Sequence, residues 1–242
     1  MKTKQLLSAG LFILSLIYLS SCDELFEERI EGNNIVVTKV RTVAPFNEVI
    51  STGNFDVYIT IADSSSLIIE AEENLFAFIT TKVRGDKFYL EEKDNYRIDN
   101  NQAIKIFLTT PNIEGAMLTG SGFIICDSLT TDFLDLEITG SGDIEFNKLD
   151  LLEIDGQITG SGDITVWGTA DRSEFTITGS GHIHGLDLLQ NYCDALITGS
   201  GNIYVNVDEH LKALITGSGN IYYLGSPTIE QKITGTGAVR PY

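Results

Sequence analysis

Basic side chains are scarce in this sequence of 242 residues. Its 16 lysines and arginines stand against 34 aspartates and glutamates, which gives a formal net charge of −18. Nucleic acids and anionic membrane surfaces would repel such a chain, so we expect neither as a partner. Proline is also rare, with 4 residues, and no glycine recurs at every third position, which excludes a collagen helix. At 43% hydrophobic residues the chain is apolar enough to fold.

The N-terminus has the features of a secretion signal. Lys2 and Lys4 precede an apolar run over residues 6–19, which has the length of a signal-peptide core and is short for a membrane span. The run ends in Leu-Ser-Ser-Cys, which resembles a bacterial lipobox, where cleavage before the cysteine accompanies lipidation of its thiol. We therefore predict a lipoprotein signal peptide over 1–21 and lipid attachment at Cys22. The alternative is an ordinary secretory signal with an incidental cysteine.

An acidic segment follows the predicted anchor. Removal of residues 1–21 deletes two lysines and no acids, so the mature chain carries −20. We predict a solvated tether over 22–34. The segment also resembles the surface-export signals of Bacteroidetes lipoproteins, which implies an outer-membrane lipoprotein displayed outwards, the periplasmic face being the alternative. Its acidic residues are Asp23, Glu24, Glu27, Glu28 and Glu31.

One motif recurs through the C-terminal half and contains most of the glycines. Seven copies of Thr-Gly-Ser-Gly, the last reading Thr-Gly-Thr-Gly, begin 20, 20, 19, 20, 18 and 18 residues apart and hold 14 of the 23 glycines. A fixed period of this length is typical of a solenoid, in which each repeat buries its apolar face against its neighbours. The copies begin at Thr119, Thr139, Thr159, Thr178, Thr198, Thr216 and Thr234.

The repeat has the side-chain period of a β-strand. From Leu136 to Phe146, apolar or glycine positions alternate with polar ones. Two glycines per motif would each cost about 1 kcal/mol in a helix relative to alanine. We therefore predict an all-β fold, a parallel β-helix or closely related β-solenoid over 113–242, with one coil per motif interval. The motif glycines either face inward where no side chain fits or adopt positive φ at a corner.

Residues 35–112 lack the motif but keep the alternation. Gly53-Asn54-Phe55-Asp56-Val57 is similar to Gly-Ser-Gly-Asp-Ile, as in a degenerate copy of the repeat. We predict irregular N-terminal coils here, and a separate small β-sandwich is the alternative.

The recurring Gly-Ser-Gly-Asp/Asn-Ile units resemble the head GIN domain family of putative auto-transporter adhesins, found in Bacteroidetes lipoproteins. Phe46-Asn47-Glu48-Val49-Ile50, Phe55-Asp56-Val57 and Pro111 are similar to the N-terminal half of that family. The resemblance runs from about Val40 to the end of the chain. It implies a single-stranded right-handed β-helix, similar to pectin-lyase-type folds, without recognised catalytic residues.

Stacked hydroxyls form the predicted binding site. The motif threonines and the hydroxyl residues two positions later should lie in two outward rows, here called the hydroxyl rows. They could bind a glycan or a protein through many weak hydrogen bonds, or order water as ice-binding solenoids do. The structural alternative is that they bond to one another and to the backbone. The candidate residues are Thr139, Ser141, Thr159, Ser161, Thr178, Ser180, Thr198, Ser200, Thr216 and Ser218.

The sequence supports a metal site or a disulfide less well than it supports the hydroxyl rows. Asp143 and Asp163 should lie on neighbouring coils about 5 Å apart, a like-charge pair that solvent or a calcium ion would relieve. His182 and His184 share a strand face but lack good third and fourth ligands for zinc. Cys126 and Cys193 fall three coils apart, beyond disulfide reach.

The function predicted from the sequence is a lipid-anchored binding or structural module of the cell envelope, in particular an adhesin head with a hydroxyl-rich face. We expect no enzymatic activity and no cofactor, and the oligomeric state stays open. The alternative is a cryptic or degenerate polysaccharide-processing enzyme. An enzyme of that kind would gather a base and metal ligands, whereas the basic residues after Ile113 fall at different phases of the repeat.

Overall fold

The computed structural model describes residues 27–242, and in that range the chain winds into one long β-solenoid. The predicted signal peptide, Cys22 and the first acids of the tether lie outside the described residues. Within them there is no α-helix, and the single helical turn is a 3-10 turn over Glu73–Ala77. No helix of residues 27–242 is long and apolar enough to cross a membrane.

Nineteen strands make up the described chain, and the longest ones run without a break around the corners of the coils. They are β1 Glu28–Glu31, β2 Val36–Arg41, β3 Glu48–Gly53, β4 Asp56–Ile61, β5 Ser66–Glu72, β6 Ile79–Arg84, β7 Lys87–Glu92, β8 Tyr96–Asp99, β9 Lys105–Thr110, β10 Gly115–Gly120, β11 Phe123–Cys126, β12 Leu129–Gly140, β13 Asp143–Gly160, β14 Asp163–Gly179, β15 His182–Gly199, β16 Asn202–Gly217, β17 Asn220–Leu224, β18 Thr228–Gly235 and β19 Ala238–Pro241.

The motif copies stack in register. Each motif threonine pairs in parallel with the threonine of the next coil, from Thr119 through to Thr234, and each first glycine pairs with the next first glycine. The solenoid has about six turns with roughly 20 residues per coil, which confirms the predicted fold class.

Two aliphatic rows form the centre of the solenoid. Ile158 precedes its motif and Ile164 follows it, and both side chains are fully buried. Each is stacked on the equivalent residue of the coils above and below. Burying a side chain of this size contributes about 1.5–3 kcal/mol, so repetition of the two rows makes stacking of coils the main source of stability.

The two glycines of a motif are required for different reasons. The first adopts the predicted positive φ, and the second lies where no side chain fits. Gly160 has φ of +135°, a conformation that glycine adopts without steric cost. Gly162 has no unusual φ, but a Cβ there would overlap the carbonyl oxygen of Gly142 and lie 3.0 Å from Cγ2 of Ile138. The first glycine therefore makes the corner, and the second lets neighbouring coils approach.

The N-terminal strands other than β1 and β8 belong to the same 17-stranded sheet as the repeats. Strands β3 and β4 pair in parallel with β10 and β11, with Gly53 opposite Gly120, and so form a coil without the full motif. Beyond them β5 pairs antiparallel with β2 and β9, and β6 pairs antiparallel with β7. These antiparallel strands, of which β6 and β7 form a hairpin, lie on the N-terminal side of the repeats in the sheet.

Part of the predicted tether is a strand. β1, within the segment 22–34, pairs in parallel with β8. The guanidinium of Arg29 also donates to the Asp99 carboxylate, with Nε at 2.8 Å from Oδ2. The solvated segment that we expected to reach residue 34 is therefore docked from residue 28.

Both cysteines of the described chain are free and buried. Cys126 pairs with Phe146 in one inward row, whereas Cys193 pairs with Ser173 in another. No disulfide joins Cys126 and Cys193 in this structure, where they occupy different inward rows. Burial raises the pKa of the Cys126 thiol to about 11 and that of Cys193 to about 12, so both stay protonated.

Candidate functional site

The hydroxyl rows run along an outer corner of the solenoid. From Ser141 to Ser218, the backbone N–H of each motif serine donates to the coil before it; that of Ser161, for example, donates to the Gly140 carbonyl at 2.8 Å. All ten candidate threonines and serines have exposed side chains. The motif thus places hydroxyls outward at every coil on a rigid backbone, about 4.8 Å apart along the axis.

These hydroxyls make few bonds to one another. Within residues 27–242, one hydrogen bond joins two of them, from Oγ1 of Thr236 to Oγ of Ser218 at 3.0 Å. Mutual hydroxyl bonding, the structural alternative, therefore occurs at the last coil. The other nine candidates are exposed residues, and their hydroxyls make no hydrogen bond to protein within residues 27–242.

A second row lies one outward position further along each coil, and its side chains form hydrogen bonds with the backbone of the next coil. Asp143 Oδ1 accepts a hydrogen bond from the backbone N–H of Asp163 at 3.0 Å, and Asp163 Oδ1 accepts from that of His182 at 2.8 Å. His182 Nδ1 lies 3.2 Å from the N–H of Asn202, whose Oδ1 accepts from that of Asn220 at 3.1 Å. We call these five residues the capping row.

The capping row gives Asp143 and Asp163 a role that needs no cation. Each has one carboxylate oxygen on a backbone N–H, and the second oxygen of Asp163 lies 3.9 Å from Nε2 of His184. No group of three or more His, Cys, Asp or Glu side chains placed to hold a metal occurs in the described part of the chain. Calcium binding at this pair stays a prediction.

An aromatic column lies next to the capping row. His184 and Tyr204 stack at 5.3 Å between ring centroids, and Tyr204 and Tyr222 stack at 5.0 Å, both 9° from parallel. The terminal Tyr242 meets Tyr204 edge to face at 6.1 Å. The motif period would have aligned the first three, since each lies three residues after the second glycine of its coil.

An acidic row lies on the other side of the hydroxyl rows. Asp135, Asp155, Glu174 and Asp194 pair on successive coils. Burial first, then the charges of Glu174 and Glu153, raise the pKa of the Asp155 carboxyl to about 6. The row thus carries four acidic side chains on consecutive coils and continues with Lys212 on the next coil.

Comparison with known proteins places this geometry in a family. The model of the family described as putative auto-transporter adhesin, head GIN domain, matches residues 45–227. The chain belongs to this family. The resemblance seen in the repeats is thus confirmed, and the family is described as one of putative adhesins. Such a family is associated with the cell surface or envelope.

Two solved structures are similar over nearly the whole described chain. A putative adhesin from Bacteroides fragilis is 28% identical with a TM-score of 0.84, covering 88% of this chain and 100% of its own. A putative lipid binding protein from Parabacteroides distasonis is 26% identical with a TM-score of 0.77, covering 89% and 100%. A putative adhesin from the same species, at 24% identity and a TM-score of 0.74, shares the fold. No curated protein matches the chain.

Proposed function

We propose that the protein is an adhesin head, anchored in the outer membrane by lipid at Cys22 and exposed at the cell surface, that binds an extended glycan along the hydroxyl rows. The observation that carries the proposal is the exposure of the hydroxyls in consecutive coils. A polymer lying along the solenoid axis would meet a similar donor and acceptor at each coil. Many weak bonds on a preorganised surface add up without the cost of ordering it.

Charge narrows the class of ligand. The mature chain carries −20, and the acidic row lies on the same strands, four residues before the motif threonines. An anionic polysaccharide would be repelled, so the proposal is for a neutral glycan. A protein ligand is the alternative outcome of the experiment below.

Threonine-to-valine substitution tests the site with little change of shape. Valine keeps the β-branched form that suits a strand and removes only the hydroxyl. We expect residues 23–242 to bind neutral glycans on an array and the triple variant T159V/T178V/T198V to lose most of that binding. The matched control is T38V/T130V/T228V, three exposed threonines outside the rows. Equal binding by both triple variants would contradict the proposed site. Binding of envelope or host proteins but no glycan would move the function to a protein ligand.

The anchor is tested separately. Cys22→Ser should abolish incorporation of labelled fatty acid and release the protein from the membrane fraction, because the thiol is the point of lipid attachment. Protease added to intact cells should degrade the wild-type protein if it is displayed outwards. Protection from protease, with lipidation intact, would instead place it on the periplasmic face.

A further inference from the structure

A depression of about 400 Å³ opens on the side of the aromatic column. Trp167 and Tyr242 lie on its lining, as do His184 and Tyr204 of the column and the polar Thr165 and Asp187. Trp167 is 38% exposed and Tyr242 is 69% exposed, so both rings are accessible. Aromatic surfaces of this size are usually covered unless they serve a ligand or partner.

The column makes the lining rigid. Tyr204 is held between His184 and Tyr222 by parallel stacking, and the Arg240 guanidinium continues the stack 5.4 Å from the Tyr222 ring. The backbone N–H of Tyr242 donates to the Tyr223 carbonyl at 2.9 Å, which fixes Tyr242 beside the depression. A ligand entering here would therefore need little reorganisation of the protein.

The mixture of groups fits a sugar ring. A pyranose has an apolar C–H face, which stacks on aromatic rings, and an edge of hydroxyls, which need acceptors and donors. The depression offers the rings of Trp167 and Tyr242 with the Asp187 carboxylate and the Thr165 hydroxyl. Asp187 has no ion-pair partner within residues 27–242, so its oxygens are available as acceptors.

The depression is also close to the hydroxyl rows. Along one coil the outward side chains run Thr198, Ser200, Asn202 and Tyr204, so one member of the capping row separates the two surfaces. We propose that the depression is the anchoring subsite of the adhesin, where one neutral sugar ring stacks on Trp167 and Tyr242 while the rest of the glycan extends over the hydroxyl rows. This inference rests on the proposed glycan function and deepens it.

A fluorescence titration is the direct test, because Trp167 is the only tryptophan in the sequence. Residues 23–242 are titrated with the neutral hexaoses of glucose, galactose, mannose and xylose. We expect at least one of them to shift or quench the emission. Calorimetry with that hexaose should then show at least tenfold weaker binding for Trp167→Ala and Tyr242→Ala. An oligogalacturonate, which is anionic, should not bind.

The matched control is Phe133→Ala. Phe133 is 39% exposed, as accessible as Trp167, but lies on another depression with Leu152. Its loss should leave affinity within twofold, and melting temperatures should show that every variant is folded.

Two results would overturn the subsite. One is that none of the four hexaoses changes the emission or gives heat. The other is that a hexaose binds with equal affinity to the wild type, Trp167→Ala and Tyr242→Ala. If that hexaose also fails to bind T159V/T178V/T198V, the hydroxyl rows are the site, and the proposed function stands without the subsite. If residues 23–242 bind no glycan on the array, both the glycan function and the subsite are contradicted.

Discussion

The backbone N–H of Asp163 donates to Oδ1 of Asp143 on the preceding coil, and the same relation links Asp163 to His182. The side chain at this position is thus an acceptor for the next coil, and the aspartates, histidine and asparagine of the capping row all offer an acceptor atom. The requirement is an acceptor atom at the right reach rather than a charge. The first prediction follows from that distinction.

Asp163→Ala should lower the free energy of unfolding by about 1–2 kcal/mol, because the half-buried N–H of His182 loses its partner. Asp163→Asn keeps the acceptor and should cost less than about 0.5 kcal/mol. Urea denaturation of the two variants measures the difference. The same pair tests the cation hypothesis: calcium that stabilises the wild type but not Asp163→Asn would show that the carboxylate binds the ion.

The close approach of coils at the second glycine gives a second prediction. Gly162→Ala should destabilise the protein by more than about 3 kcal/mol, because its Cβ would overlap the Gly142 carbonyl and the backbones cannot separate without breaking the stack. Thermal unfolding of the purified variant, or its failure to accumulate as folded protein, is the measurement.

Gly85 provides the control for this clash. It has φ of +65° with no atom within 4 Å of a built Cβ, so Gly85→Ala tests backbone strain alone. That substitution should cost about 1 kcal/mol. If Gly162→Ala costs no more than Gly85→Ala, overlap with the Gly142 carbonyl does not explain the glycine at position 162.

Much of the fold could be predicted from the sequence because the position of each motif gives the register in which neighbouring coils pair. The motif glycines are fixed by backbone contact, so counting from them aligns the isoleucines, the hydroxyl rows and the capping row over every coil. The same count fails further from the motif. The pairing shifts between Phe146 and Leu149 and again between Thr165 and Gly168. Trp167 lies at such a bulge, where one residue of slip moves a side chain to the opposite face.

The antiparallel strands of the N-terminal region, here called the N-terminal cap, were harder to predict for a related reason. Parallel and antiparallel strands share the alternation of apolar and polar residues, so the sequence of β5 or β6 does not reveal the direction of its partner. The pairing of β1 with β8 is also not predicted by periodicity. β1 has four residues, Glu-Arg-Ile-Glu, and so short and charged a segment resembles a solvated tether.

Glu72 links two loop segments of the N-terminal region by hydrogen bonds and gives a third prediction. Its buried carboxylate accepts hydrogen bonds from the backbone N–H of Asn34 at 2.5 Å, Asn101 at 2.8 Å and Gln102 at 3.2 Å. Burial alone would raise the pKa of Glu72, but these donors outweigh it and hold the pKa below its usual value. A depressed pKa contributes stability above the unfolded-state value of about 4.5, and that contribution disappears as pH falls through the folded-state pKa.

We therefore expect Glu72→Gln to be less stable than the wild type by at least about 2 kcal/mol at pH 7, since an amide presents its own N–H groups to these donors. The difference should shrink when the pH is lowered from 5 to 3. Denaturant unfolding across that range is the measurement. A difference independent of pH would mean that shape rather than charge matters at this position.

The cysteines give a fourth prediction. Because Cys126 and Cys193 are buried with raised pKa values, neither should react with a thiol reagent in the native protein at pH 8. Residues 23–242 should show two reactive thiols after unfolding in guanidinium. Rapid labelling of the native chain would show that the coil around one of them opens readily.

Asp155 should shift stability with pH in the opposite direction from Glu72. Its pKa is raised from 3.8 to about 6 by burial and neighbouring carboxylates, so its ionisation weakens the folded state. The stability associated with the protonated form is fully present below about pH 4 and is lost as pH rises through 6. Asp155→Asn should therefore raise the free energy of unfolding at pH 7.5 by about 1 kcal/mol, less than the shift implies because water screens a partly exposed group. The gain should vanish at pH 3.5, and the exposed Asp208→Asn should show no comparable gain at either pH in the same thermal melts. A gain that persists at pH 3.5 would assign the effect to packing instead of charge.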